Sequence, residues 1–268
     1  MAEFCQYSYL HAKYTSSRRI YCLNSYKNNS DINKKRKKMQ NSLPKITLFD
    51  LDHTLLPLDS DYAWGEFTTQ IGWTDPVEFK QRNDEFFAQY KKGELKISEY
   101  VRFATQAIKD QGAAKSIAAH AQFMATTIQP AIKQAATDLV AKHSAAGDQL
   151  VIVTATNEFV TRPIATAFGI DELIAVQLEK DESAGGAGWI TGEINGVPSA
   201  HEGKVTRVEA WLSARNLSWK DVHTTFYTDS INDIALLEKV NVPIATNPDT
   251  RLRAIAVERG WQILELFA

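Results

Sequence analysis

The sequence predicts an α/β protein, a doubly wound parallel sheet with a helical cap inserted after its first strand. Two observations predict this class. In the second half of the 268-residue chain, short apolar segments alternate with helical segments, which is typical of a parallel sheet covered by helices on both faces. Before that alternation, a long block with helical spacing follows the first strand directly. The block is therefore interpreted as a cap inserted into the core.

The first elements are a strand and the helices of the cap. Ile46–Phe49 is a short β-prone run that leads into Asp50. Aromatic and aliphatic residues then recur near helical spacing over about 60–128, for example at Trp64, Phe67 and Ile71. We interpret this stripe as the core of a helix bundle rather than as a ligand site.

The remaining elements alternate along the chain. Strands are predicted at Leu150–Val153, Leu173–Val176, Trp189–Ile194, Thr225–Tyr227 and Val242–Ile244, with helices near 130–145, 157–168, 203–215 and 231–239 and a last helix and strand ending near Leu264. Gly185, Gly186 and Gly188 indicate a loop or hairpin. Because crossovers between parallel strands are right-handed, the sheet is expected to be doubly wound. The predicted division is a core of 44–58 and 129–268 around a cap of 59–128.

Residues 1–43 form a basic leader that is predicted to be disordered. This segment has nine Lys or Arg against Glu3 and Asp31, a charge of +7, which leaves −9 on the remainder of a chain whose net charge is −2. The acidic body is a poor candidate for binding nucleic acid. Both cysteines, Cys5 and Cys22, lie in the leader, so no disulfide framework is expected in the body.

Three interpretations of the leader are open. The basic run 34–38 is compatible with contact to nucleic acid or to an anionic surface, and the scarcity of acidic residues is compatible with an organellar transit peptide. The favoured interpretation is a start at Met39, in which case a 39–268 protein keeps full activity. The sequence has neither a secretory h-region nor an apolar run of about 18 residues. We therefore expect a cytoplasmic protein with no membrane partner.

Polar residues follow the predicted strands at the edge where ligands bind in open α/β sheets. In chain order they are Asp50 with Asp52, then Thr154, Lys204, and Asp229 with Asp233. Each alone has an ordinary explanation as a turn, a helix cap or a surface residue. Together they supply a carboxylate nucleophile, a carboxylate for proton transfer, anchors for phosphate, and oxygen ligands that suit Mg²⁺.

The order of these motifs resembles the haloacid dehalogenase superfamily, within it the phosphoserine-phosphatase-like branch, over about residues 45–265. The resemblance implies a magnesium-dependent phosphatase that forms a phospho-aspartate on Asp50. Asp52 would protonate the leaving oxygen and then activate water. Thr154 and Lys204 would hold the phosphate, and Asn232 would lie close to it.

The resemblance also implies a set of metal-binding residues. Asp50, the backbone carbonyl of Asp52, and Asp229 would hold Mg²⁺, with Asp233 supporting them. One departure is Thr228, which stands where many members have glycine before the metal-binding aspartate. This difference affects the shape of the loop rather than the chemistry.

The expected partner is a small phosphate ester. Residues 58–67 resemble a bacterial group that includes histidinol-phosphate phosphatases, and Asp59 falls where phosphoserine phosphatases place an acidic residue that binds the substrate amine. Their carboxylate-binding arginine corresponds to Ala104 here. Arg102 lies about 200° away around a helix and is predicted to face away from the site. Histidinol phosphate is therefore the expected substrate, with phosphoserine second.

Alternatives to this assignment stay open. The segment after the first motif is equally compatible with a plain helix start, in which Ser60 or Asp61 is the cap and Asp59 lies beside it. A phosphotransferase or mutase would use the same aspartyl-phosphate. A non-catalytic binding module would usually have lost Asp50, Asp52 or Asp229, and all three are present. The histidines lack the spacing of a zinc site. The sequence assigns no oligomeric state.

Overall fold

The protein is described by a computed structural model over residues 43–182 and 188–267. Residues 1–42, which include Met39 and both cysteines, and residues 183–187, which include the loop glycines Gly185 and Gly186, lie outside this part. Within the described part, the core of the body is a sheet of six strands: β1 (Lys45–Phe49), β2 (Gln149–Asn157), β3 (Glu172–Val176), β6 (His223–Thr228), β7 (Val242–Thr246) and β8 (Gln262–Leu264). In the sheet these strands follow the order β3-β2-β1-β6-β7-β8.

Each pair of neighbours in this sheet is parallel. The order reverses direction about β1, so the connections place helices on both faces. The helices of the core are α4 (Gln134–Ala145), α5 (Glu158–Ala167), α6 (Glu202–Ser213), α7 (Ile234–Leu237) and α8 (Thr250–Arg259). The predicted doubly wound α/β class is confirmed.

Two apolar clusters cover the two faces of the sheet. Ile46 and Leu48 pack in one cluster with Val208 of α6 and Leu252 of α8. On the other face, Phe49 belongs to the cluster formed by α4, α5 and the helices of the insertion. Alternate residues of β1 thus point to opposite faces, as the pleat of a strand requires. The last four residues of β1, Ile46–Phe49, are buried, which explains why the end of this strand is mostly apolar.

The insertion between β1 and β2 is helical, as predicted. It contains α1 (Ser60–Gln70), α2 (Pro76–Lys92) and α3 (Ile97–Phe123), and α3 continues as a π-helical segment, Met124–Ile128, and one short turn, Gln129–Ala131. The aromatic stripe is core: Trp64 is buried and packs against Phe67 and Phe123. The exact cap boundaries, 59 and 128, stay a prediction.

A small antiparallel hairpin, β4 (Leu178–Asp181) and β5 (Trp189–Ile194), follows β3. It packs on α3, where the Trp189 indole donates to the Ile108 carbonyl at 3.1 Å. The predicted helix 231–239 is shorter than expected. A 3₁₀ turn at Ile231–Asp233 precedes α7, and only Asp229 and Ser230 separate this tighter turn from the end of β6. No helix of the described residues is long and apolar enough to cross a membrane.

Candidate active site

Three parallel strands bring the predicted motifs to one edge of the sheet. β1 lies between β2 and β6, with Phe49 paired to Ile152 and to Tyr227. The residues that follow these pairs therefore meet at the carboxyl edge: Asp50 after β1, Thr154 in β2, and Asp229 after β6. The structure extends β2 through Asn157, so Thr154 lies within the strand and not after it.

Lys204 lies at the centre of the cluster. Its ammonium donates to Asp50 Oδ1 at 2.9 Å and to Asp233 Oδ2 at 2.7 Å, and all three side chains are buried. Burial lowers the pKa of Lys204, but the charges of Asp233 and Asp50 outweigh burial and hold that pKa above its ordinary value. Lys204 therefore stays charged and partly neutralises the carboxylates.

The backbone before Lys204 is built for a close approach. A Cβ atom at Gly203 would lie 2.1 Å from the Pro198 carbonyl oxygen, so a side chain at this position would displace the chain. His201, the residue before α6, has a φ of 51°, in the region that non-glycine residues rarely adopt. Lys204 thus enters the site from the first turn of a helix that begins in a tight loop.

Asp52 is oriented by two donors. The Ser60 backbone amide donates to Oδ1 at 2.7 Å, and the Thr156 hydroxyl donates to Oδ2 at 2.9 Å. Burial, followed by the charge of Asp59, raises the pKa of Asp52 to about 6, against the lowering effect of these hydrogen bonds. A carboxyl group with a pKa near neutrality can both give and take a proton, as a general acid and base must.

Negative charge exceeds positive charge around Asp50. Burial and the repulsion of Asp233 and Asp52 raise the pKa of Asp50 to about 7, although Lys204 opposes the rise. Burial and the charge of Asp50 also raise the pKa of Asp229. Asp229 is anchored by Thr54, whose hydroxyl donates to Oδ1 at 3.2 Å and accepts the Asp229 amide at 3.0 Å. A bound cation would relieve this excess.

The residues predicted to bind the metal differ in whether their carboxylate oxygens are available as ligands. Among the described residues, no three His, Cys, Asp or Glu side chains converge as a metal cluster. The carboxylate of Asp52 is bonded to Ser60 and Thr156, and Oδ2 of Asp233 is bonded to Lys204. Asp50 also accepts a hydrogen bond from Lys204, but Asp50 and Asp229 both line the cavity described below, whereas Asp233 is not among its described lining residues. Asp50 and Asp229 are therefore the carboxylates best placed for Mg²⁺, since this ion commonly uses one or two carboxylates and retains waters.

A cavity opens above the carboxylates, beneath the helical insertion. Asp50, Asp52, Asp229 and Thr154 line its floor. Its upper walls are acidic and aromatic, and they include Asp59, Asp61, Tyr62, Phe86, Phe87, Tyr90 and Tyr100. Among the described residues that line this cavity there is no Arg or Lys.

Comparison with known proteins assigns the chain. Residues 47–238 match the model of the haloacid dehalogenase-like hydrolase family. The chain belongs to this family. A histidinol-phosphatase from Neisseria meningitidis is 37% identical over 83% of the chain and 99% of its own length. A phosphoserine phosphatase from Mycobacterium tuberculosis is 27% identical over 82% of the chain and 70% of its own length.

A solved structure agrees with these matches. A Bordetella pertussis protein of unknown function is 45% identical to the chain, covers 84% of it over its own full length, and superposes with a TM-score of 0.79. The predicted superfamily is confirmed, and so is the predicted class of enzyme, a phosphoric monoester hydrolase.

Thr228 stands at the position where many members of the haloacid dehalogenase family have glycine. Thr228 is the last residue of β6 and is fully buried. Its hydroxyl donates to Asp233 Oδ2 at 2.6 Å and accepts the Ser230 amide at 3.2 Å. The side chain thus supplies a second donor to Asp233 beside Lys204.

Asp59, which is predicted to bind the substrate amine, also has a structural role. Asp59 is itself the N-cap of α1, because its Oδ1 accepts the amides of Asp61 and Tyr62 at 3.1 and 2.9 Å. The alternative prediction that Ser60 or Asp61 is the cap is therefore wrong. Asp59 nevertheless lines the cavity.

Arg102 faces away from the cavity, in agreement with its predicted position on α3. Its Nε donates to Glu193 of the hairpin at 2.7 Å, and its side chain is 54% exposed. Ala104 is not among the residues that line the cavity either. The family position of the carboxylate-binding arginine thus contributes no cation to this cavity.

Asn232 lies where the core meets the insertion. Its amide donates to the Tyr90 carbonyl of α2 at 3.0 Å. The described cavity lining includes Tyr90 but not Asn232. In this conformation the side chain ties the two parts together, and its predicted place beside the phosphate stays a prediction.

Sequence reasoning missed several residues of the cavity. Thr156 orients Asp52, and Asp61 and Tyr100 form part of the wall. Asp61 lies in the 58–67 segment that resembles histidinol-phosphate phosphatases, but the sequence indicates an amine-binding role for Asp59 and only a possible cap role for Asp61. Thr156 gave no signal, because it lies in a part of β2 that extends beyond the predicted strand.

Proposed function

We propose that the chain hydrolyses histidinol phosphate through an aspartyl-phosphate on Asp50, with Mg²⁺ as its cofactor. The observation that carries this proposal is the buried pair of Asp50 and Lys204 below an acidic, aromatic cavity. The phosphate end of a substrate would lie at the sheet edge. Its alcohol part would then lie against the walls of the insertion.

In the first step, a carboxylate oxygen of Asp50 attacks phosphorus as the bond from phosphorus to the alcohol oxygen breaks. Protonated Asp52 gives its proton to that oxygen, and the alcohol leaves neutral. Lys204 holds Asp50 and offsets its charge. Thr154, which lines the same cavity, would donate to a phosphoryl oxygen.

In the second step, water attacks the phosphorus of the aspartyl-phosphate. Asp52, now ionised, takes the proton of this water, and the bond from phosphorus to Asp50 breaks. Inorganic phosphate leaves, and both carboxyl groups return to their starting states. Mg²⁺ held by Asp50, Asp229 and the carbonyl of Asp52 would neutralise the charge of the phosphoryl oxygens.

The cavity walls support a cationic alcohol over one that carries a carboxylate. Phosphoserine has a carboxylate that would need a charged donor, and the described lining has neither Arg nor Lys. Histidinol phosphate has an amine and an imidazole instead. Both groups are compatible with carboxylates and aromatic rings, and the similarity to the histidinol-phosphatase of Neisseria meningitidis supports the same substrate.

The test is phosphate release from histidinol phosphate, phosphoserine, a sugar phosphate and p-nitrophenyl phosphate, with Mg²⁺ and with EDTA. Asp50→Asn is expected to abolish release, and Asp110→Asn is the matched control, because Asp110 is exposed on α3. We expect histidinol phosphate to have the highest kcat/KM. Release that persists in EDTA or in Asp50→Asn would refute the mechanism, and a preference for phosphoserine would refute the substrate.

A further inference from the structure

Asp61 is a buried acidic residue in the wall of the cavity. The proposed mechanism assigns no role to its side chain. It lies in the first turn of α1, is 5% exposed and lines the cavity. Its Oδ1 accepts the amide of Asn157 at 3.2 Å, and the side chain of Tyr100, which also lines the cavity, interacts with it. These two neighbours come from different elements, the end of β2 and helix α3, and fix the direction of the carboxyl group.

Both of these neighbours are neutral. No ion pair found among residues 43–182 and 188–267 includes Asp61. A carboxylate that is removed from water without a cation is costly. Burial and the charge of Asp59 accordingly raise the pKa of Asp61 to about 8. A cation that entered the cavity would supply the missing charge.

The carboxylate of Asp59, unlike that of Asp61, caps a helix. Its Oδ1 already accepts two backbone amides and holds the start of α1. Substitution of Asp59 by asparagine preserves such a cap, since asparagine caps helices as well as aspartate does. The Asp61 side chain does not cap α1, although its backbone amide is one of the two that Asp59 caps. The burial of this carboxyl group in the wall is therefore not explained by the start of the helix.

The same wall is aromatic. Tyr62, Phe86 and Tyr100 line the cavity together with Asp61. Aromatic faces attract cations and stack on planar rings. An acidic group among such rings is suited to a protonated nitrogen on a flat or apolar body, and it is unsuited to a carboxylate or a sugar.

We propose that Asp61, rather than Asp59, is the residue that pairs with a protonated nitrogen of the substrate alcohol and thereby selects cationic esters. This inference rests on the proposed function, because it assigns the alcohol end of the same substrate. Asp61 is a specificity-determining residue here and takes no part in the phosphoryl step.

The experiment compares kcat/KM of wild type, Asp61→Asn, Asp59→Asn and the exposed control Asp110→Asn on four esters. Histidinol phosphate has an amine and an imidazole, phenylalaninol phosphate has the amine alone, 3-(imidazol-4-yl)propyl phosphate has the imidazole alone, and p-nitrophenyl phosphate has neither. The first three identify which nitrogen is bound, and the fourth reports the phosphoryl step by itself.

Asp61→Asn is expected to lower kcat/KM for histidinol phosphate about 10- to 100-fold, mainly through KM, as loss of a charged hydrogen bond predicts. The value for p-nitrophenyl phosphate should change less than about threefold. Asp59→Asn should have the smaller effect on histidinol phosphate. The single-nitrogen ester that loses most in Asp61→Asn carries the nitrogen that Asp61 binds.

Two results would overturn the inference. Equal losses on all four esters would indicate a structural role for Asp61, and thermal unfolding of the variant would report it. An unchanged preference for cationic esters would assign their selection to other residues. A different result would refute the proposed function. In that case the wild-type protein would hydrolyse p-nitrophenyl phosphate but would not favour histidinol phosphate.

Discussion

The Lys204 ammonium lies 2.9 Å from Asp50 Oδ1, and both side chains are buried beneath the helical insertion. The two residues are far apart in the sequence, and they meet because α6 begins beside the carboxyl edge of β1. The same ammonium contacts Asp233. One ammonium group therefore pairs with two carboxylates, so negative charge exceeds positive charge at the site. This excess of negative charge affects both the reactivity and the stability of the site.

Replacement of Lys204 by methionine should remove the positive charge while keeping much of the side-chain volume. We expect kcat/KM to fall by about 100- to 1000-fold, the usual loss for an electrostatic group at a reacting centre. The free energy of unfolding at pH 8 should fall by about 3–5 kcal/mol, because two buried carboxylates lose their cation. Steady-state kinetics and urea denaturation measure the two effects.

The matched control for this change is Lys239→Met. Lys239 is 46% exposed and pairs with Glu209 at 3.5 Å on the surface. Surface pairs contribute little, so both activity and stability should be nearly unchanged. If Lys204→Met were as active as this control, the role of Lys204 at the phosphate would be refuted.

Thr228 offers a second test of how Asp233 is held. Thr228→Val keeps the shape of the side chain but removes the hydroxyl that donates to Asp233 at 2.6 Å. We expect the free energy of unfolding to fall by about 1–3 kcal/mol, since a buried acceptor loses a donor. Thr228→Ser, which keeps the hydroxyl, should be close to wild type, and equal losses in both variants would contradict this explanation.

Much of the fold could be predicted because its signals are local. The continuous apolar run before Asp50 and the helical spacing around Trp64 each reflect burial within a few residues of chain. The residues at the strand ends could be predicted for the same reason, since parallel strands bring their carboxyl ends to one edge.

The details that the sequence could not provide depend on distant neighbours. The capping role of Asp59 depends on where α1 begins, and sequence alone locates such boundaries poorly. The contact of Asn232 with the Tyr90 carbonyl depends on how the insertion lies over the core. The burial of Asp61 requires the walls that α3 and β2 provide.

The hydrogen bond from the Asn232 amide to the Tyr90 carbonyl is the basis of a separate prediction. Asn232→Ala should loosen the contact between the insertion and the core, because a net hydrogen bond of about 0.5–1.5 kcal/mol is lost. Hydrogen exchange at the end of α2 should become faster, whereas inhibition by inorganic phosphate should be unchanged. A large rise in the inhibition constant for phosphate, with unaltered exchange, would place Asn232 at the phosphate instead.

Asp61 should also make the stability of the ligand-free protein depend on pH. Its pKa is raised from 3.8 to about 8, first by burial and then by the charge of Asp59. Between these values the unfolded chain is ionised at this position while the folded chain keeps the proton. This group therefore stabilises the fold fully below pH 3.8, and its contribution is lost as pH rises through 8.

Asp61→Asn has no proton to lose at this position, so its stability should fall less steeply with pH. Relative to wild type, its free energy of unfolding should rise by up to about 1.4 kcal/mol per pH unit between pH 4 and pH 8. Urea denaturation in EDTA at several pH values measures this difference, and Asp110→Asn is the control, since its exposed carboxylate should leave the profile unchanged. Parallel profiles for Asp61→Asn and wild type would show that Asp61 is ionised in the folded protein, with a counter-charge already in place.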